Sequence, residues 1–535
     1  MREIITLQLG QQSNYVATHF WNAQESYFTY DAGHESPVDH DVHFRPGLGV
    51  DGTETFTPRT VIYDLKGGFG TLKRLNALYD ISRDAAASSL WPGQAVVHMQ
   101  QPIEPSAYQQ SLDTGQAAPE LTTGTVRYWS DFNRVFYHPR SIVQLNEYEL
   151  NSTIMSFEKW HMGEELFANL DKEHDLLDRD LRPFVEEAGH MQGIQIMSGI
   201  DDAWASFATK YIERIRDEYG KTPVWIFGLQ GPTKGLPREK KLLKLANKAR
   251  ALAELSSQAS LIVPLAMPEE RLPSNIHLNL ESSWHVSALF AATIESTTLY
   301  TRLKTTDRVY SSNLGHMTDL LNVFGRQTIA NIEMSPIEPL NSTWNGANDL
   351  TNPINAPGES IPKFYDNVIN DESESGLERG PAPLEVDLSS PQDFKLNLKT
   401  TRSKKRYVFS QVRTYRGPEI KKTTVDDEDG ISKGRCGMGR RPKIYNYRSK
   451  LSFPMLDSYP TIFRNKNRSV IKEPMAICTS LATDTSVVDK VTGLRTAVIR
   501  SISLEDREVV GNELADIADG YKEGWSSGGD DGDDD

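Results

Sequence analysis

Cysteine is almost absent from this chain of 535 residues, which carries only Cys436 and Cys478. Two cysteines cannot form a disulfide framework or a four-cysteine zinc site, and they fit a reducing compartment best. Long apolar runs are also missing. The longest candidates, such as LIVPLAM at 261–267, have the length of a strand, whereas a membrane-spanning helix needs roughly 20 apolar residues. We therefore expect no transmembrane segment.

Other features are missing as well. Among the first twenty residues only Arg2 and Glu3 are charged, so we expect neither a secretory signal nor an arginine-rich presequence. The 58 basic residues are outnumbered by 73 acidic ones, giving a net charge of −15, which argues against nucleic acid as the partner of the whole surface. The sequence contains no HExxH motif, P-loop lysine or nucleophile elbow, and its twelve histidines are scattered. Histidine-based catalysis and a metal site are therefore not predicted.

Short apolar segments alternate with amphipathic ones in the first half of the chain. We predict strands at 3–9, 59–65, 193–199 and 223–229. Between the last two strands, the apolar residues of 201–219 recur at the i, i+3, i+4 and i+7 spacing of a helix that packs on a sheet. This alternation predicts an α/β fold with parallel strands, in which ligands bind at the carboxyl ends of the strands.

Changes in composition divide the chain further. Residues 84–127 are rich in small and polar residues, 341–398 in Asn, Pro, Ser and Glu, and the chain ends in GGDDGDDD. The predicted units are a nucleotide-binding-type α/β domain at 1–230 with an inserted loop at 84–127, an intermediate region with a core helix at 231–340, a linker-like excursion at 341–398, a C-terminal domain at 399–518 and an acidic disordered tail at 519–535.

A possible phosphate site lies at the end of the first strand. Gly10 follows the strand and precedes a predicted helix, so its turn would present backbone N–H groups at the positive end of a helix dipole. Gln11, Gln12 and Asn14 fit this geometry, and Asp64 ends the neighbouring strand. A single glycine turn of this kind is more often only a turn.

Several motifs in this region resemble those of tubulins. Tubulins begin MREIVHIQAGQCGNQ, and this chain begins MREIITLQLGQQSNY. PRTVIYDLKGG at 58–68 is similar to the tubulin PRAVLVDLEPG, and QGIQIMSG at 192–199 is similar to QGFQLTHS. ERIRDEY at 213–219 likewise resembles SKIREEY. The resemblance implies a tubulin/FtsZ-like parallel sheet, followed by a second α/β-type domain with loop-rich insertions, and it makes GTP the possible ligand.

One departure from tubulins concerns the opposite side of the phosphate site. The tubulin GGGTGSG loop corresponds to IDDAWAS at 200–206. Asp201 and Asp202 would place like charges beside a phosphate and Trp204 would add bulk, while Lys66 replaces an acid that lies near the tubulin magnesium. The alternative role of the two aspartates is to cap the following helix. We therefore expect neither tubulin-like GTP binding nor GTPase activity.

Further motifs resemble the Misato family, and its fungal mitochondrial-inheritance members most closely. They are YWSDFNRVFYHPRSI at 128–142, LYTRL at 299–303 and DVHFRPG at 41–47. The resemblance implies a non-enzymatic, non-polymerising tubulin relative that is needed for mitochondrial distribution, morphology and DNA inheritance. It also implies location at the mitochondrion and in the cytoplasm, with partners on the mitochondrial surface or in the inheritance machinery. The competing hypothesis is a self-assembling tubulin-like GTPase.

A basic stretch gives a third, weaker hypothesis. The segment 399–417 interleaves cations with aromatic residues, and the pattern resumes at 434–450 after the acidic VDDEDG. Lys404, Lys405 and Arg406 are the candidate contacts to an anionic lipid or nucleic acid. The alternative is a solvated pair of strands with alternating charges.

Overall fold

Six parallel strands form the first sheet of the computed structural model, which describes residues 2–29, 35–48, 54–72, 103–268, 272–304, 312–337, 385–389, 406–418, 443–465, 467–499 and 504–522. The strands lie in the order β5 (Ile142–Glu149), β4 (Thr60–Lys66), β1 (Glu3–Leu9), β6 (Met191–Gly199), β7 (Val224–Leu229) and β8 (Leu261–Leu265). Every neighbouring pair is parallel. The four predicted strands are the four central ones, which confirms the predicted α/β sheet.

Helices cover both faces of this sheet, and a short antiparallel pair, β2 (Phe44–Leu48) and β3 (Glu54–Pro58), lies beside it. The helices of this part are α1 (Gln11–Glu25), α2 (Ala107–Thr114), α3 (Trp160–His174), α4 (Arg182–Glu186), α5 (Ala203–Glu218) and α6 (Arg238–Gln258). The apolar face predicted for α5 is buried from Trp204 to Ile215. Between α3 and α4 the helix is interrupted, because Asp175 ends α3 in the left-handed conformation.

Two predicted boundaries differ from the structure. The first sheet continues beyond residue 230, because the short apolar run of β8 pairs with β7 and is buried throughout. Within the predicted loop at 84–127, the described residues include α2, which begins after the capping hydroxyl of Ser106. Tyr108 of this helix is buried and donates a hydrogen bond to Asp457 at 2.9 Å. Residues 84–102 lie outside the described part of the chain.

A buried central helix, α7 (Ser283–Thr297), corresponds to the core helix predicted in 231–340 and is followed by α8 (Leu314–Leu321). Beyond it lies a second, mixed sheet. Its order is β10 (Val386–Asp387), β9 (Asn331–Ile337), β13 (Ala476–Asp484), β11 (Val408–Arg416) and β12 (Lys443–Ser449). Only β11 and β12 are parallel. Two helices, α9 (Ser486–Val498) and α10 (Leu504–Asp519), pack against each other and against α6.

The predicted basic stretch therefore contains two neighbouring strands, which confirms the strand pair of the alternative prediction but not its solvation. β11 is nearly all buried, whereas the edge strand β12 is mainly exposed. Of the predicted excursion at 341–398, the described residues 385–389 add the strand β10 to the second sheet. The disordered tail predicted at 519–535 begins too early, because Asp519 ends α10 and Tyr521 is buried against Ile329; residues from 523 onward lie outside the described part. None of the helices in the described part combines the length and hydropathy that a membrane crossing requires.

A buried ionic network connects α1, α7 and the second sheet. Glu295 of α7 forms ion pairs with Arg302 at 2.8 Å and with Arg416 at the end of β11, and all three side chains are fully buried. The hydroxyl of Tyr27, just beyond α1, donates to Glu295 at 3.0 Å and accepts from Arg416 at 2.8 Å. Because Arg302 belongs to the LYTRL motif, part of that motif is explained by its structural role at this junction.

Candidate functional site

The turn between β1 and α1 is closed by an indole. Gly10 has a φ of 88°, a backbone conformation that glycine adopts without steric cost. A Cβ atom added at this position would overlap the indole nitrogen of Trp204. The Trp204 ring also lies 5.2 Å from the ring of Phe157, measured between centroids. The space above this glycine is therefore filled by an aromatic side chain of α5.

Asn14 and Asp64 meet beneath the same turn. The Asn14 amide donates to the Asp64 carboxylate at 2.8 Å, the Trp129 indole donates at 3.2 Å and the Leu65 backbone N–H donates at 2.9 Å. Asp64 is fully buried, and burial raises its pKa to about 7 against the opposing effect of these three donors. The predicted pair is thus brought together, with its carboxylate held by interior hydrogen bonds.

Gln11 and Gln12 line the cleft that opens beside the turn. The Gln12 amide donates to the backbone oxygen of Gln230 at 3.4 Å, near the limit of a hydrogen bond. The side-chain oxygen of Gln11 is buried and has no hydrogen-bond partner among the described residues. Gln11 therefore offers an unused acceptor at this edge of the sheet.

The two predicted aspartates take different roles. Asp202 caps α5, accepting a hydrogen bond from the Trp204 backbone N–H at 3.0 Å, which confirms the capping prediction for this residue. Burial, together with the neighbouring Asp201 charge, raises the pKa of Asp202 to about 7. The capping prediction is wrong for Asp201, because its carboxylate instead accepts from the Gly231 N–H at 3.0 Å and pairs with Lys244 at 2.9 Å.

A cleft of about 700 Å³ lies at the carboxyl ends of β1 and β6, between the Gly10 turn and the start of α7. Its charged lining consists of four acids and one base: Glu149, Glu158, Asp202, Glu281 and Lys240. The single base is already paired, since its ammonium lies 3.0 Å from the Glu158 carboxylate. The electrostatic character of the cleft is therefore acidic.

Sequence reasoning missed the lysines of α6. Lys240, Lys244 and Lys248 are four residues apart, so they share one face of the helix. Lys240 and Lys244 pair with Glu158 and Asp201, while the ammonium of Lys248 donates to the Gln230 side chain at 2.6 Å. This i, i+4, i+8 spacing is visible in the sequence and predicts a basic face on α6, but it does not show which acids that face meets.

Of the three residues predicted to contact an anionic lipid or nucleic acid, the structure describes one, Arg406. Lys404 and Lys405 lie outside the described residues. Arg406 pairs with Glu333 at 2.5 Å and with Asp484 at 2.8 Å, both of which are buried. The structure thus corrects the role predicted for Arg406, because its guanidinium links β9 and β13 instead of facing an anionic partner.

Two family profiles match successive parts of the chain. A Misato segment II tubulin-like domain matches residues 2–114, and a tubulin domain matches residues 118–303. Together these matches contain all six strands of the first sheet and the cleft at their carboxyl ends.

Curated fungal relatives extend the similarity over the whole chain. Protein dml-1 of Neurospora crassa is 50% identical over 559 residues, covering 100% of both chains. Protein DML1 of Gibberella zeae is 45% identical over 540 residues, again covering 100% of both. Protein dml1 of Schizosaccharomyces pombe is 32% identical over 366 residues, covering 64% of this chain and 74% of the relative. The similarity therefore reaches beyond the tubulin-like part into the second sheet.

Proposed function

The chain belongs to the Misato family of tubulin-like proteins, with full-length fungal relatives named DML1, and from this membership we propose that it is a non-enzymatic factor for mitochondrial distribution and morphology and for inheritance of mitochondrial DNA. It acts at the mitochondrion and in the cytoplasm, through proteins of the mitochondrial surface or of the inheritance machinery. The support for this role is the family resemblance.

The observation that supports a role without nucleotide chemistry is the replacement of a phosphate site by an indole and carboxylates. Trp204 lies against Gly10, and Asp202 already caps the helix whose N-terminus would face a phosphate. A phosphate beside an ionised carboxylate would be repelled, and because the pKa of Asp202 is raised to about 7, this repulsion is strongest above that pH. The cleft also offers no unpaired cation among its lining residues to offset the repulsion by its acids, which supports a function without GTP.

The second candidate is a GTP-binding, self-assembling GTPase. The parallel sheet and the glycine turn at the start of α1 favour it, since both are the parts from which a tubulin-like nucleotide site is built. The acidic lining of the cleft counts against it. Direct binding of anionic lipid or nucleic acid through Lys404 and Lys405 is a weaker third candidate, supported only by their place in the basic stretch.

The experiment depletes the protein and restores it with either the native chain or the Gln11→Ala variant. We expect depletion to disturb mitochondrial networks and nucleoids while microtubules stay intact, and we expect both chains to restore them equally, because no nucleotide contact is needed. Fractionation with protease protection would locate the protein on intact mitochondria. Normal mitochondria with lost microtubules, or a failure of the Gln11→Ala variant alone, would favour the tubulin-like alternative.

A further inference from the structure

One exposed apolar side chain lines the acidic cleft, and two more belong to a segment whose flanking residues line it. Leu280, which lines the cleft, is 49% exposed. Ile154 and Met155 are 92% and 52% exposed, and the residues on either side of them, Thr153 and Ser156, line the cleft. Isolated exposed apolar side chains are ordinary on protein surfaces, whereas a group around one concave site is typical of a binding surface.

Three acceptor groups that line this cleft have no partner among the described residues. Glu149 and Glu281 are exposed and have no ion pair among the described residues. The buried side-chain oxygen of Gln11 also has no donor there. A ligand that brought N–H donors and positive charge would satisfy these groups, whereas an anion would be repelled by them.

We propose that this cleft binds a cationic, amphipathic peptide segment of a partner protein. One apolar side chain of the peptide packs against Leu280, while Lys or Arg residues face Glu149 and Glu281. Insertion of an amphipathic segment into an apolar groove is a common mode of peptide recognition, and complementary charges on the rim fix its orientation. The inference rests on the proposed function in one respect, that no nucleotide occupies the cleft.

The described strands next to the chain's own basic segments favour a partner over this chain as the source of the peptide. These strands, β11 and β12, belong to the second sheet. The beginning of β11 lies against α8 and the C-terminal helix, because Ser410 donates to the Leu320 backbone oxygen at 2.6 Å and the Phe409 ring lies 6.3 Å from that of Tyr521. The cleft is instead lined by the beginning of α7.

The test measures fluorescence anisotropy of a labelled helical peptide with arginines on one face and leucines on the other, titrated with the full chain. Two control peptides have the same composition in scrambled order, or glutamate in place of arginine. We expect only the amphipathic cationic peptide to bind, and its affinity should fall with added salt because the rim charges are exposed.

Variants of the chain test the location of the binding site. The Glu149→Lys/Glu281→Lys double variant should weaken binding by about tenfold or more, equivalent to about 1.4 kcal/mol. Glu173→Lys/Glu508→Lys makes the same change in net charge at exposed positions that do not line the cleft, and it should change binding less than about twofold. Leu280→Ser should also weaken binding. Equal binding of all three peptides, or equal effects of the two double variants, would overturn the proposal.

Two further arms separate the possible outcomes. Mg²⁺-GTP should not displace the peptide. If Mg²⁺-GTP displaces the peptide, the proposed exclusion of nucleotide is wrong and the peptide site is retained. If neither the peptide nor GTP binds, the peptide site is wrong and the exclusion of nucleotide is retained. Replacement of residues 419–442 by a glycine- and serine-rich linker of the same length, which keeps the connection between the parallel strands β11 and β12, should leave peptide affinity unchanged. A large gain in affinity on this replacement would assign the cleft to the chain's own basic segment and overturn the assignment to a partner.

Discussion

Replacing Glu295 by Gln should destabilise the protein strongly, because it removes the one carboxylate between two buried guanidinium groups. Arg302 and Arg416 both pair with this carboxylate, and neither side chain is exposed to solvent. Burial alone would raise the pKa of Glu295, but the charges of Arg416 and Arg302 outweigh this effect and hold the pKa below its usual value. The carboxylate is therefore ionised at neutral pH, and the variant loses a full negative charge.

The expected loss is about 3–5 kcal/mol of unfolding free energy, the usual cost of leaving a buried charge without its partner. This is a large part of a typical total of about 5–15 kcal/mol. Arg302→Met should cost less than Glu295→Gln, because Glu295 would keep its ion pair with Arg416. The pKa of Glu295 is lower in the folded protein than the value of 4.5 expected for the unfolded chain. The ionised carboxylate therefore stabilises the folded state above pH 4.5, and this contribution is lost as the pH falls through the folded pKa.

Urea unfolding followed by tryptophan fluorescence at pH 7.5 would measure these differences. The matched control is Glu173→Gln, a change at a carboxylate that is 72% exposed, which should alter stability by less than about 0.5 kcal/mol. The native chain and the Glu295→Gln variant should converge in stability as the pH falls below 4.5. A Glu295→Gln midpoint equal to that of the control would refute the structural role assigned to this network.

Three further predictions concern other parts of the chain. Burial lowers the pKa of His19 to about 3. Protonation of this residue in the unfolded chain should therefore remove about 2 kcal/mol of stability between pH 7.5 and pH 5. The urea midpoint of the His19→Gln variant should fall less over that range than the midpoint of the native chain. Gly163→Ala should cost about 1–3 kcal/mol, measured by urea unfolding, because the new Cβ atom would overlap a carbonyl oxygen of α5; unchanged stability would contradict this packing. Lys404→Gln/Lys405→Gln should weaken vesicle or DNA binding at low salt without loss of stability, whereas Arg406→Gln should lower the urea midpoint because it breaks two ion pairs.

The first sheet was predictable because the residue pattern of each segment and the order of the segments along the chain indicate the same fold. The runs at 3–9 and 223–229 are apolar and short, and amphipathic helices separate the strands, which restricts the topology to a parallel sheet. The boundary near residue 230 was misplaced because β8 is a five-residue apolar run that alone does not reveal which sheet it joins. The composition of 84–127 likewise concealed α2, whose stability depends on burial of Tyr108.

The site was predictable in its residues and less so in their contacts. Asp202 follows a strand and precedes a helix, so its capping role could be derived from local sequence. The partner of Asp201 lies 43 residues away on α6, and the partners of Arg406 lie 73 and 78 residues away. Contacts at such separations depend on tertiary packing, which neither composition nor periodicity encodes.

Calorimetric titration of the purified chain with GTP, with and without Mg²⁺, paired with a phosphate-release assay, tests the central claim most directly. We expect no binding in the micromolar range and no turnover above background, because the indole of Trp204 lies against Gly10 and most of the charged residues that line the cleft are acidic. Micromolar binding or hydrolysis that Gln11→Ala abolishes would contradict it.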